Sequence, residues 1–262
     1  MNGTVTLGRI IGIPLRLHWS FPLLLLYVVW QASQAGITGV GLVWEAVFVL
    51  AIFGCVLLHE CGHALAARAY GIRSLDIVLL PLGGVVRLER NPPTPTGEII
   101  VALAGPAVNV ILAGLIGAVF VVRAGLLQGA EVPDVGLWTG GFAARLAVVN
   151  IALLVFNLIP AYPMDGGRVL HGVLRYMLPP VRATLYTARV GQVFAVLLGL
   201  LGIYWGGLFM TLIAVFLFLS ATATAKAAAA ARDAGYGDVS AGDGGMAPPD
   251  PNASGGYPRR GL

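Results

Sequence analysis

Apolar residues run together along this chain in blocks longer than a soluble helix or strand requires, and polar residues are confined to short breaks between them. The runs extend from Leu17 to Ala35, Val43 to Ala67, Glu98 to Val122, Gly140 to Ile159, Thr184 to Ile203 and Leu208 to Ala229. A helix needs about 20 residues to cross a hydrocarbon core of about 30 Å, so the pattern predicts six transmembrane helices. Between the second and third runs the rhythm changes. Ser74 to Arg90 is rich in β-branched residues and broken by Pro81, Gly83 and Gly84, which predicts a small β-hairpin. A proline-rich segment follows, in which Thr94 or Thr96 is placed to cap the third helix, with Glu98 in its first turn. The fold class expected is an all-α polytopic membrane protein of six helices with this one hairpin. Gly191, Ala195 and Gly199 in the fifth run form a small-residue stripe suited to close helix packing. Past Arg232 the apolar runs cease, so residues 1–231 read as one membrane domain and 232–262 as a disordered cytoplasmic tail.

Composition supports this reading. Of 262 residues 58% are hydrophobic and 11% charged, with mean hydropathy +0.86, whereas a soluble domain carries about a quarter charged residues. The net charge of +4 does not point to nucleic acid, because no basic cluster exists beyond the pair Arg259 and Arg260. The basic residues set topology instead. With a cytoplasmic N-terminus, six spans leave only Arg123 and Arg145 of the 16 Lys and Arg toward the outer side, beside the acidic Glu131 and Asp134. Both termini are therefore expected in the cytoplasm, which argues against reading the first run as a signal peptide cleaved near Ser33-Gln34-Ala35. Cys55 and Cys61 fall on opposite sides of one helix and are not expected to pair.

The second run carries His59-Glu60-Cys61-Gly62-His63. On a helix, His59 and His63 lie one turn apart on one face, where two imidazoles can hold one zinc ion, and Glu60 is near enough to take a proton from the attacking water. Ionisable side chains at membrane depth cost about 2.5–3.5 kcal/mol or more each, so two His and a Glu within five residues need a compensating partner or a function, and a metal site supplies both. Glu60 precedes the basic helix end at Arg68 by a spacing that sets it roughly 10–15 Å below the cytoplasmic edge. A catalytic zinc normally takes a third protein ligand. Asp165 is the best candidate, since it follows a helix broken by Pro160 and Pro163 and precedes Gly166 and Gly167, which allow close backbone approach. His171, Cys55 and Cys61 compete for the place. His18 beside Trp19 reads as an interfacial anchor.

The chain resembles the site-2 protease family of intramembrane zinc metalloproteases. The resemblance rests on His59-Glu60-Cys61-Gly62-His63, on Asn157-Leu-Ile-Pro160 followed by Asp165-Gly166, on Gly105-Pro106-Ala-Val-Asn109, and on the stretch from Gly8 to Ser20. It implies that His59, His63 and Asp165 bind zinc, that Glu60 is general base and acid, and that Asn157, with Asn109 a weaker candidate, engages the substrate. The arrangement is similar to the compact six-span branch that includes the sporulation-factor-processing enzyme, many members of which carry a nucleotide-sensing pair of domains where this chain has its tail. The expected partners are a transmembrane protein substrate and the lipid bilayer, with no nucleic acid. An extended substrate segment is expected to add to the Ser74 to Arg90 hairpin. The rival reading is a metal transporter or zinc scaffold without hydrolysis, and polar residues converging at one depth beside a general base argue against it.

Overall fold

A computed structural model describes residues 3–81, 83–126 and 141–233. The Glu131 and Asp134 loop and the tail from residue 234 onward lie outside the described residues. The chain divides into two compact units, Met1–Ile159 with Met164–Val169, and Pro160–Pro163 with Leu170–Leu262.

The first unit opens with a hairpin, β1 (Thr4–Ile10) and β2 (Ile13–His18), then α1 (Phe21–Gln34), α2 (Val40–Ala69), a second hairpin β3 (Ser74–Leu80) and β4 (Gly83–Leu88), α3 (Pro95–Leu126) and α4 (Phe142–Asn157). The four strands form one sheet in the order β1-β2-β3-β4, with β2 and β3 parallel and the other pairs antiparallel. The all-α expectation is corrected here, since the hairpin foreseen at Ser74 to Arg90 is half of a four-stranded sheet. The other half was hidden in the stretch assigned to resemblance and to the start of the first helix. Thr4 to His18 alternates with period two about the turn at Ile11 and Gly12, whose positive φ values of 49° and 83° are those of a tight hairpin turn. The first helix accordingly starts at Phe21 rather than Leu17.

One face of the sheet packs on α2. Leu15, Ile77, Leu79 and Val86 from the strands bury against Val56, Cys61 and Ala64 of the helix. Asp76, buried in β3, is paired with Arg87 of β4 and with Arg16 of β2 at 3.2 Å, so one carboxylate ties three strands together. Its hydrogen bonds raise the Arg87 pKa above the usual guanidinium value. Thr94 caps α3, its Oγ1 accepting from Gly97 N at 3.1 Å. On α4, Arg145 reaches Glu45 of α2 with two hydrogen bonds of 2.7 and 2.8 Å and lies 4.1 Å over the Phe48 ring.

The second unit holds the end of α5 (Asp165–Leu174), then α6 (Pro180–Tyr204) and α7 (Leu208–Ala231). Small residues make α6 and α7 a close pair. A Cβ at Gly199 would meet Ala214 at 3.5 Å, and one at Gly202 would lie 2.9 Å from the Thr211 nitrogen.

Among the described residues, four helices are long and apolar enough to cross a membrane: α2, α3, α6 and, as Met210–Ala231, most of α7. The other two expected spans are shorter, with 14 residues in α1 and 16 in α4. Large apolar side chains such as Leu115, Leu197 and Leu219 are more than half exposed, which suits a surface bathed in lipid and not one bathed in water.

Candidate metal centre

Everything that converges at this site belongs to the first unit. His59, Glu60 and His63 are buried on α2, between the sheet and α3. Asp165 is the first residue of α5 and is buried as well. It arrives there because the chain folds back sharply after α4. A Cβ at Gly166 would lie 2.5 Å from the Ile159 carbonyl oxygen and closer still to that of Leu158, so only glycine permits the return.

His59 Nε2, His63 Nε2 and Asp165 Oδ2 stand at the corners of a triangle with sides of 3.0, 3.1 and 3.2 Å. Ligands of a tetrahedral zinc at about 2.0–2.1 Å lie roughly 3.3–3.4 Å apart, so the triangle is within a few tenths of an ångström of that requirement. Two imidazole nitrogens and one carboxylate oxygen leave a fourth position free, as a hydrolytic zinc needs. His63 Nδ1 donates to the Val101 carbonyl of α3 at 2.7 Å, which commits its Nε2 lone pair to the triangle.

Two glycines shape the surroundings. A Cβ at Gly105 of α3 would sit 2.6 Å from His59 Nε2 and closer to His63 Nε2, so the bare backbone of Gly105 leaves the cradle over the two nitrogens. Gly84 of β4 does the same for the general-base candidate, since its Cβ would lie 2.6 Å from Glu60 Cγ. Glu60 Oε2 in turn accepts a hydrogen bond from Val86 N at 2.9 Å. Gly62 brings α3 against α2, a Cβ there falling 2.6 Å from the Ala104 carbonyl oxygen. Neither Gly84 nor Gly105 had a chemical role in the sequence reading, where one was a hairpin breaker and the other part of a motif.

The rival third ligands are engaged elsewhere. Cys55 Sγ accepts from Asn150 Nδ2 at 3.3 Å, Cys61 packs against the sheet, and His171 Nε2 lies 3.0 Å from Thr184 Oγ1. Both cysteines are free thiols, and His18 bonds Ser20 at 2.6 Å. Asn157 ends α4 half-buried, and Asn109 is fully buried on α3. Asn150, fully buried on α4, belongs to no motif and carries no sequence signal of its own.

The model of peptidase family M50 matches residues 47–135 and 124–198. The chain belongs to peptidase family M50, the family of the site-2 proteases. A zinc metalloprotease of Methanocaldococcus jannaschii is 32% identical over 217 residues, which cover 83% of this chain and 59% of the relative. Rip3 of Mycobacterium tuberculosis is 34% identical over 212 residues, 78% of this chain and 52% of the relative. Stage IV sporulation protein FB of Bacillus subtilis is 30% identical over 155 residues, 58% of this chain and 48% of the relative. The chain thus spans about half the length of the curated relatives it matches. The solved structure of the site-2 protease from Methanocaldococcus jannaschii superposes with a TM-score of 0.60 at 29% identity, covering 85% of this chain and 95% of that one. Membership in this family and four membrane-length apolar helices make this member of family M50 a membrane protein, and zinc is the metal that its His-His-Asp group suits.

Proposed function

We propose that the chain is an intramembrane zinc metalloprotease that hydrolyses a peptide bond within or near a transmembrane segment of a membrane protein. The observation that carries this reading is the triangle of His59, His63 and Asp165 with its free fourth position, next to a buried glutamate held by a strand at the sheet edge. A zinc held by the three residues supplies Lewis acidity toward the scissile carbonyl and the attacking water. Glu60 accepts the proton from that water and returns it to the leaving amine, and Val86 N–H keeps its carboxylate aimed.

β4 also offers the docking edge. Because Val86 N–H turns to Glu60 and away from β3, residues of the same parity on this antiparallel strand, Gly84 and Leu88, point their backbone groups to the open side. An unwound substrate segment added there would lie alongside Glu60 with its amides exposed, where a helix would hide them. Asn157, at the end of α4, is the residue we assign to the substrate backbone. Asn109, expected to share that task, is buried and is taken up below.

Residues 1–231 form the proteolytic domain in this proposal, with α1 and α4 completing six spans and both termini in the cytoplasm, as the distribution of basic residues favours. Shorter helices cross where flanking sheet or broken segments occupy the remaining depth. The test is Glu60→Gln in the full chain, assayed on a panel of tagged single-span substrates in liposomes. Zinc should stay bound while cleavage falls by about 10²-fold or more. Retained cleavage would overturn the role of Glu60, and retained zinc transport across the vesicle wall would favour the transporter.

A further inference from the structure

The contact between α2 and α3 has a regular register. His63 Nδ1 meets the Val101 carbonyl, and Gly105, one turn later on α3, lies over the Nε2 atoms of both His63 and His59. The helices run antiparallel here, and one turn further along the same faces stand Cys55 of α2 and Asn109 of α3. Asn150 of α4 joins them, its Nδ2 donating to Cys55 Sγ at 3.3 Å and to the Leu146 carbonyl at 2.9 Å. A second polar level thus lies about 6 Å along the helices from the ligand triangle.

Among the described residues, Asn109 Oδ1 and Nδ2, Asn150 Oδ1 and His59 Nδ1 are buried with no protein hydrogen-bond partner. Each orphan costs about 1–3 kcal/mol, and several around one junction mark a place where water completes the bonding. The two metal-facing histidines differ in the same respect. His63 Nδ1 has the Val101 carbonyl, while His59 Nδ1 has nothing comparable. Side chains on a helix lean toward its N-terminus, the direction in which Cys55 lies from His59.

We propose that the junction of α2, α3 and α4 one turn from the triangle holds internal water bound by Asn109 and Asn150, and that this water is the outer hydrogen-bond partner of His59 Nδ1. The water accepts from Nδ1–H, which leaves the Nε2 lone pair for the metal, and the two amides supply the donors and acceptors that hold it in place. Asn109 and Asn150 are then positioning residues, acting through His59. An apolar pocket of the same size would stay dry. The inference rests on the reading of His59 as a metal ligand.

The test has two parts, each on the full chain in lipid nanodiscs. Water-edited solid-state NMR of isotope-labelled histidine should show transfer from water to the His59 Nδ1 proton. A His59 signal without such transfer overturns the proposal whether or not zinc binds. Chelator competition then gives zinc dissociation constants. Asn109→Leu and Asn150→Leu, which fill the junction with apolar atoms, should each weaken binding by about 10-fold or more, whereas Asn150→Ser, small enough to admit another water, should stay within about 3-fold of wild type. Leucine variants that bind zinc as tightly as wild type contradict the proposal. A wild-type chain that binds no zinc would instead contradict the metal reading.

Discussion

Replacing Gly105 with alanine separates fold from metal binding. The added Cβ would lie 2.6 Å from His59 Nε2 and closer to His63 Nε2, whereas a relaxed contact needs about 3.5 Å. Each imidazole must retreat by roughly 1 Å, and a metal ligand tolerates only about 0.2 Å. The helix itself gains, because alanine is better than glycine in a helix interior by about 0.8–1.0 kcal/mol. Gly105→Ala should therefore still fold, within about 2 kcal/mol of wild type, since the helix gain offsets part of the cost of crowding two buried imidazoles, yet bind zinc about 100-fold or more weakly, a loss of about 2.7 kcal/mol. Gly114→Ala on the same helix, where an added Cβ meets nothing within 4 Å, is the control. Chelator competition gives the affinity and thermal unfolding in detergent gives the stability. Zinc binding by Gly105→Ala within about 3-fold of wild type, under 1 kcal/mol, would refute the placement of Gly105 over the ligand nitrogens.

Gly84→Ala should split the other way. Its Cβ meets Glu60 first, with Cγ at 2.6 Å and Oε1 at 2.9 Å, so zinc affinity should hold while cleavage falls by about 10-fold or more, measured on liposome-embedded substrate. Removing one partner of the Arg145 and Glu45 pair, as in Arg145→Met, strands a half-buried carboxylate and should destabilise the first unit by about 1–2 kcal/mol. Glu45→Gln in the same chain should recover part of that loss in thermal unfolding. Asp165→Asn keeps the shape of the third ligand but removes its charge, and zinc should bind about 10-fold or more weakly; unchanged affinity would exclude Asp165 from the metal.

The face of α2 that carries His59 and His63 was legible because helical periodicity alone sets the two on one side, whatever surrounds them. Asp165 was legible for a local reason too, since Pro160 and Pro163 stop the helix and Gly166 permits the return that the structure displays. The N-terminal hairpin was not. Isoleucine at the first turn position, where Asn, Asp or Gly is usual, hid the turn, and the end of β2 at Leu17 and His18 was absorbed into the first apolar run. Its parallel partner β3 lies some sixty residues on, a pairing that no local pattern encodes. Gly105, Gly84 and Asn150 escaped for a different reason. What each does depends on which element lies across from it, and that is settled only when α3, β4 and α4 pack on α2.

A zinc ion held by His59, His63 and Asp165 is tested most directly by anomalous diffraction recorded at the zinc absorption edge from crystals of the full chain. One peak should appear about 2.0–2.2 Å from His59 Nε2, His63 Nε2 and an Asp165 carboxylate oxygen. A peak bound by other side chains, or none in protein shown to be active, would contradict the account.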